Sequence, residues 1–335
     1  MKVLGLVGSA RRLGNTEILV KEALAGARGA GADVAMVRLP DLRILPCDGC
    51  MSCVFSRRPC RLDDDVPWLF ERMLDADGLV VGAPTYVLGP AGVIKLVLDR
   101  YLMVGHQVEE LGRRGRRGAA ISVAGLRGWN PFGAGPLSLL LLAMQAPPVG
   151  WLHAYAPGPG EVLLEEGMAE RAHLLGRLVA TGPEPPPMGS RRTPGGAPAA
   201  SGYPGGSAGA ARAGSACSEG WAGCRGPRPP LTEEGVFACP FCGSLVLRVG
   251  RGEVECPVCS SRAQLDAAGV GEFRAPGPQG HRWDPVPARE HIEGWVMSTR
   301  DRYLARRDAI RPLRERYRQM EDWWISPPAP PSGRA

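Results

Sequence analysis

Four cysteines fall within fourteen residues: Cys47, Cys50, Cys53 and Cys60, in the run PCDGCMSCVFSRRPC. Thiolates this dense are ligands for a soft metal or a redox centre. A structural zinc uses two separated C-x2-C pairs, which this x2, x2, x6 spacing is not. Three thiolates at x2 intervals can reach three irons of one cubane, with the fourth arriving from the loop, so a [4Fe–4S] cluster fits the spacing best. Bacterial ferredoxins send the fourth cysteine of such a run to a second cluster, and no second run of that kind exists here. Zinc or free thiols are the alternatives. Arg57 and Arg58 lie beside the site and would offset the charge of a thiolate-ligated centre.

A second set is differently built. Cys239 and Cys242, thirteen residues, then Cys256 and Cys259 make two C-x2-C knuckles around an expected hairpin, Leu245–Val249, a Gly250-Arg251-Gly252 turn and Glu253–Cys256. That is the all-thiolate pattern of a zinc ribbon. Similar knuckles in rubredoxin hold iron, but the short interval favours zinc. A module this small depends on its metal to fold. Cys217 and Cys224 are read as free thiols.

The elements needed to position such groups are legible over the first 180 residues. Strand-like apolar runs are expected at Lys2–Val7, Asp33–Leu39, Leu79–Val81, Ala119–Ala124 and Val149–Ala154. Helical spacing separates them at Thr16–Ala27, after Asp63–Asp65 through Val66, Leu69 and Met73, at Pro90–Leu102, at Gly135–Gln145 and at Glu165–Thr181. Strict alternation with helical crossovers predicts an α/β fold, a five-stranded parallel sheet covered on both faces in the doubly wound manner. Ligands in such sheets lie beyond the carboxyl ends of the strands. The loop after the first strand, Gly8-Ser9-Ala10-Arg11-Arg12-Leu13-Gly14-Asn15-Thr16, carries two glycines and short polar groups into a helix N-terminus, a natural seat for phosphate. It is neither a G-x-G-x-x-G fingerprint nor a P-loop.

Taken together, the GSARRLGNT loop, the PCDGCMSC segment and Pro84-Thr85-Tyr86 followed by Lys95 and Asp99-Arg100 resemble the NADPH-dependent FMN reductase branch of the flavodoxin-like superfamily, and within it the iron–sulfur flavoprotein type. The resemblance spans roughly residues 1–180. It implies that Ser9, Arg11, Asn15 and Thr16 hold the FMN phosphate. Pro84, Thr85, Tyr86 and Val87 would line the isoalloxazine, with Ala124 and Gly125 on its other side. Tyr86 offers a flat apolar surface for that purpose, ordinary packing being the alternative reading of the residue. The resemblance further implies NAD(P)H or a ferredoxin-like protein as electron donor, and a homo-oligomer.

The rest of the chain divides by composition. Residues 1–182 form the flavodoxin-like domain, 183–231 a Pro/Gly/Ala-rich linker expected to be disordered, 232–270 the ribbon, and 271–335 a helical segment. In that last segment Ile292, Trp295, Val296, Tyr303, Ile310, Leu313, Tyr317 and Met320 form an amphipathic stripe for the chain's own core or a second subunit, and Pro312 should kink or split it. His291 reads as a surface residue, and Trp323 and Trp324 suggest docking. The net charge of +6 comes partly from Arg113, Arg114, Arg116 and Arg117, read as a solvated loop or, secondarily, as a docking patch for an acidic redox partner. The basic residues lie on no nucleic-acid-binding motif. The one long apolar stretch, Leu137–Met144, is too short to cross a bilayer, and ten cysteines suit ligands in a reducing compartment, so a cytoplasmic protein is expected.

The sequence therefore predicts an FMN-dependent oxidoreductase using NAD(P)H, with electrons passing through the Cys47–Cys60 centre. A cluster-free quinone or FMN reductase, a non-enzymatic electron carrier, and a nucleic-acid-binding or protein-binding role for the ribbon are the rival readings.

Overall fold

In the computed structural model, the described residues are 1–55, 59–182, 246–250, 252–258, 260–266, 269–271, 274, 290–320 and 323–328. The expected linker lies outside them, as do Arg57, Arg58, Cys217, Cys224, Cys239, Cys242 and Cys259.

The first 182 residues run β1 (Lys2–Val7), α1 (Asn15–Gly29), β2 (Asp33–Arg38), a short α2 (Ser52–Phe55), α3 (Val66–Asp75), β3 (Gly78–Tyr86), β4 (Gly89–Pro90), α4 (Gly92–Asp99), α5 (Val108–Arg113), β5 (Arg117–Ala124), α6 (Gly135–Ala143), β6 (Pro148–Tyr155) and α7 (Met168–Thr181). The main strands are parallel in the order β2-β1-β3-β5-β6, the doubly wound order of flavodoxin-like folds. Because both faces are covered, β1, β3 and β5 are buried almost throughout and carry no polar alternation.

One apolar layer packs α1 and α7 on the sheet through Ile18, Leu19, Leu24, Leu175 and Val179. The other packs α3, α4 and α6 through Leu69, Phe70, Ile94, Val97 and Leu140. α1 and α7 approach so closely that a Cβ on Gly26 would sit 1.9 Å from the His173 carbonyl oxygen, and one on Gly176 would sit 1.6 Å from that of Ala23. Only glycine permits that crossing.

Three expectations need correction. The Arg113–Arg117 run is only partly solvated, with Arg113 and Arg114 exposed. Arg116 is buried and donates to the carbonyls of Met73, Ala76 and Met144, and Arg117 donates to those of Val179 and Ala180. These arginines satisfy helix-end carbonyls that would otherwise be orphaned where β5 enters the sheet. Asp65, at the N-cap of α3, makes no side-chain cap bond, and only Asp64 serves the helix start, accepting from Val66 N–H at 3.3 Å. The two carboxylates also accept from the backbone N–H groups of Leu45 and Arg43, at 2.9 and 2.7 Å, anchoring the entry to the cysteine loop. Nor does Pro312 split the C-terminal helix, for α8 (Met297–Arg318) runs through it. Its flanking turns are held by buried Ile310 and Tyr317, so one lost backbone bond does not end it.

The C-terminal segment packs on the chain's own domain. The Tyr317 hydroxyl donates to Glu22 at 3.0 Å, Lys21 donates to the Tyr317 carbonyl at 2.7 Å, and Trp323 is buried. Met36 N–H donates to the Trp323 carbonyl and Ile325 N–H to the Met36 carbonyl, so the tail adds a parallel bridge to the free edge of β2. Between these parts, β7 (Arg248–Val249), β8 (Glu253–Glu255), β9 (Arg262–Asp266) and β10 (Gly269–Val270) make an antiparallel sheet around Val254 and Ala263. No helix among the described residues is long and apolar enough to cross a membrane.

Candidate functional site

Parallel register sets the site. Val7 pairs with Gly82 and Pro84 with Val123, so the loops leaving β1, β3 and β5 emerge side by side at one sheet edge. The sequence-predicted flavin residues lie on the β1 loop, at the first turn of α1, or at the carboxyl ends of β3 and β5 and in the turns that follow them.

The β1 loop begins as Gly8 N–H donates to the Gly82 carbonyl at 2.7 Å. Ser9 is buried, its hydroxyl accepting from Arg11 N–H at 3.2 Å, while the Arg11 side chain stays exposed. Leu13, at φ +51°, turns its N–H onto Glu17, whose carboxylate also pairs with Lys21 at 3.0 Å. Gly14 then opens α1, and no side chain caps that helix. Its first-turn N–H groups, with the positive end of the dipole, are available to an anion beside buried Ser9 and Thr16. An FMN phosphate fits this cradle. Asn15 has a different task from the one its sequence position implies. Its amide donates to the carbonyls of Ala156 and Gly158, and its oxygen accepts from the N–H groups of Gly160 and Val162. The side chain thus ties the phosphate loop to the loop leaving β6.

At the end of β3, Thr85 turns inward. Its hydroxyl donates to Asn130 Oδ1 at 2.6 Å, and Ser122 donates to the same oxygen at 2.9 Å. Tyr86 and Val87 project outward, 53 % and 78 % exposed. Val87 and Leu88 both have positive φ, +46° and +73°, in the two-residue turn joining β3 to β4. Such a turn normally takes Asn and Gly. A β-branched residue there is strained, which is why the sequence carries no hairpin signal.

On the β5 side Ala124 is buried, its carbonyl accepting from Ala156 N–H. A Cβ on Gly125 would meet the Trp295 indole at 2.6 Å. Trp295 belongs to a π-helical turn, His291–Val296, and the His291 ring stacks between it and Trp129, with centroids 5.2 and 3.9 Å away. His291 is therefore not an isolated surface histidine. The C-terminal segment brings a stacked aromatic group against the β5 loop, a long-range contact that no local sequence signal announces.

The cysteine loop lies between β2 and α3. Cys47 and Cys50 are exposed, Cys53 and Cys60 partly buried, and none of the four is in a disulfide. Asp48 ties the loop together, accepting from Cys50 N–H and from Arg61. The Arg61 guanidinium holds the Asp48 carboxyl down at about 2. Deeper in, Arg100 donates to Cys60 Sγ at 3.2 Å and to Asp64 at 2.6 Å, with both ion-pair side chains essentially buried. Among the described residues no three Cys, His, Asp or Glu side chains converge on a single-ion site, which would need thiolates about 3.8 Å apart. An all-sulfur donor set with an arginine donating to one thiol suits an anionic iron–sulfur centre, whose ligands attach to different irons.

Of the second cysteine set only Cys256 is described. It is buried, its carbonyl accepting from Ser260 N–H and its N–H donating to the Ser261 carbonyl, in a tight turn with Ser260 at φ +68°.

Known proteins are similar to this chain over part of its length. The model of the family described as NADPH-dependent FMN reductase matches residues 1–131. An iron–sulfur flavoprotein of Archaeoglobus fulgidus is 30 % identical over 180 residues, covering 54 % of this chain and 79 % of that protein. One of Methanocaldococcus jannaschii is 36 % identical over 129 residues, covering 38 % of this chain and 64 %, just under two thirds, of the relative. Among solved structures, a flavone reductase aligns over 98 % of this chain and all of its own, at 20 % identity and a TM-score of 0.44, too slight a likeness to carry an argument.

Proposed function

We propose, for a chain that belongs to the NADPH-dependent FMN reductase family and to its iron–sulfur flavoprotein branch, that it is an FMN-dependent oxidoreductase drawing electrons from NAD(P)H and passing them on through a [4Fe–4S] centre at Cys47, Cys50, Cys53 and Cys60. The observation that carries the flavin assignment is the uncapped N-terminus of α1 beside buried Ser9, in register with the ends of β3 and β5.

In this reading Ser9, Thr16 and the first-turn N–H groups of α1 hold the phosphate, with the exposed Arg11 guanidinium adding charge. Asn15 fixes that loop through its bonds to residues 156–162. Pro84 to Val87 present backbone and the Tyr86 ring to the isoalloxazine, and Ala124 and Gly125 close the opposite side. Held there, FMN supplies two-electron acceptance from a nicotinamide and one-electron release to a centre that takes single electrons. The Thr85–Ser122–Asn130 network keeps the β3 end fixed without spending a proton, since both hydroxyls donate inward to Asn130. Arg100 holds Cys60 Sγ and would offset the charge of its thiolate.

A reading without the cluster keeps the flavin chemistry and leaves the four cysteines as thiols. Zinc is the other alternative there, disfavoured by a spacing that is not two separated C-x2-C pairs. The C-terminal cysteines Cys239, Cys242, Cys256 and Cys259 are proposed to hold a structural zinc. The test is NADPH oxidation by the purified protein with an artificial acceptor, read alongside its flavin and iron content. Turnover with bound FMN supports the enzyme, and failure to bind flavin overturns it. Flavin without iron selects the cluster-free reading.

A further inference from the structure

Beyond the β1 loop, on the side away from β3, a cavity of about 670 Å³ opens at the carboxyl end of β2, within the usual size of a small-ligand pocket. Its walls come from distant parts of the chain: Arg12 from the β1 loop, Arg38 and Asp41 from the end of β2, Arg318 from the end of α8 and Trp324 from the tail. The bridge between Met36 and Trp324 builds the far wall, so the pocket exists because the tail is docked.

Three arginines line this space against two carboxylates, Glu17 and Asp41. Glu17 is already neutralised by Lys21 at 3.0 Å, both side chains being buried. Arg38 is buried and uses Nε and Nη2 on Asp41, at 2.9 and 2.8 Å, while its Nη1 has no hydrogen-bond partner. Arg12 approaches the same carboxylate at 3.6 Å with an otherwise exposed guanidinium, and exposed Arg318 pairs with Glu315. The Trp324 indole adds an aromatic surface, with Arg38 5.7 Å from its centroid. A buried guanidinium with an unused donor, flanked by two exposed ones, asks for a multivalent anion with several acceptor oxygens. The aromatic surface and the carboxylate add a stacking face and a hydroxyl acceptor.

We propose that this cavity binds a nucleoside phosphate, with the phosphate on Arg12, Arg38 and Arg318, the base against Trp324 and a ribose hydroxyl on Asp41. Two ligands share that chemistry, the 2′-phosphoadenosine end of NADPH and a free nucleoside 5′-monophosphate. The first rests on the reading of NADPH as donor; the second does not.

The test is calorimetric titration of the FMN-loaded full-length protein with 2′,5′-ADP, 5′-AMP and inorganic phosphate, repeated on Arg12→Ala and Arg318→Ala. Both side chains are exposed, so flavin content and melting temperature serve as controls for the fold. The inference expects saturable binding of at least one nucleotide, tighter than phosphate alone and weakened about tenfold or more in each variant, as loss of a charge-assisted contact implies. Preference for 2′,5′-ADP assigns the site to the dinucleotide, and preference for 5′-AMP to a free nucleotide. No nucleotide binding, or binding indifferent to both variants, overturns it. NADPH oxidation that persists alongside such a null would show that the cavity assignment alone had failed.

Discussion

Arg100 Nη2 lies 3.2 Å from Cys60 Sγ, and the same guanidinium is gripped by Asp64, so one buried cation joins a candidate ligand to the anchor of its loop. Asp64 in turn accepts from Leu45 N–H, which holds the chain just before Cys47. Both ends of the cysteine segment are therefore tied to the first residue after α4.

Arg100→Gln should be severely destabilising, because it strands the Asp64 carboxylate in the interior. Removing one partner of such a pair costs about 3–5 kcal/mol. Urea denaturation would show it, and Arg100→Lys should recover only part of the loss, since a point charge cannot serve sulfur and carboxylate together. Iron bound per chain should fall in both variants.

Asn15→Ala should loosen the phosphate loop from residues 156–162. Four backbone groups lose their partner, and with partial rescue by water the cost is about 3 kcal/mol. The affinity of the apoprotein for FMN should drop with it, measured by fluorescence quenching on titration. Unchanged FMN affinity would separate the clamp from the flavin site.

The Asp48 carboxyl is held at about 2, below its ordinary 3.8, first by its hydrogen bond from Arg61. A depressed folded value means that the Asp48–Arg61 tie is fully present above the ordinary carboxylate range and is lost as pH falls through about 2. Carboxyl-carbon NMR should find that low midpoint in the wild type and a return toward 3.8 in Arg61→Gln.

Tyr317 behaves in the opposite sense. Burial, then the neighbouring Glu22 carboxylate, pushes its hydroxyl above the ordinary value of 10. The stability contributed by the neutral phenol is present below that value and is lost as pH rises into the alkaline range. Tyr317→Phe should cost about 1–2 kcal/mol near neutrality. It should also flatten the alkaline decline of the urea midpoint.

The alternating strands and helices of residues 1–182 were legible because a doubly covered parallel sheet needs continuous apolar strands, and Lys2–Val7 and Arg117–Ala124 have them. What escaped was set by distance or by strain. Arg116 reads as one more surface charge until β5 brings it beneath three helix-end carbonyls. Val87 and Leu88 give no turn signal, because their chemistry opposes the conformation they adopt. His291 acquires its meaning only from Trp129, over 160 positions earlier. In the site itself, Ser9, Thr16 and Tyr86 could be located from the loop pattern, whereas the roles of Asn15 and Arg100 depend on partners that only the fold supplies.

The central claim is that one chain carries a flavin and an iron–sulfur centre reducible by a nicotinamide. An absorption spectrum of anaerobically purified protein, recorded before and after NADPH, tests it most directly. The account predicts a flavin band riding on a broad sulfur-to-iron shoulder, both bleached by NADPH. A spectrum lacking either the flavin band or the shoulder, or one that NADPH leaves unchanged, would contradict it.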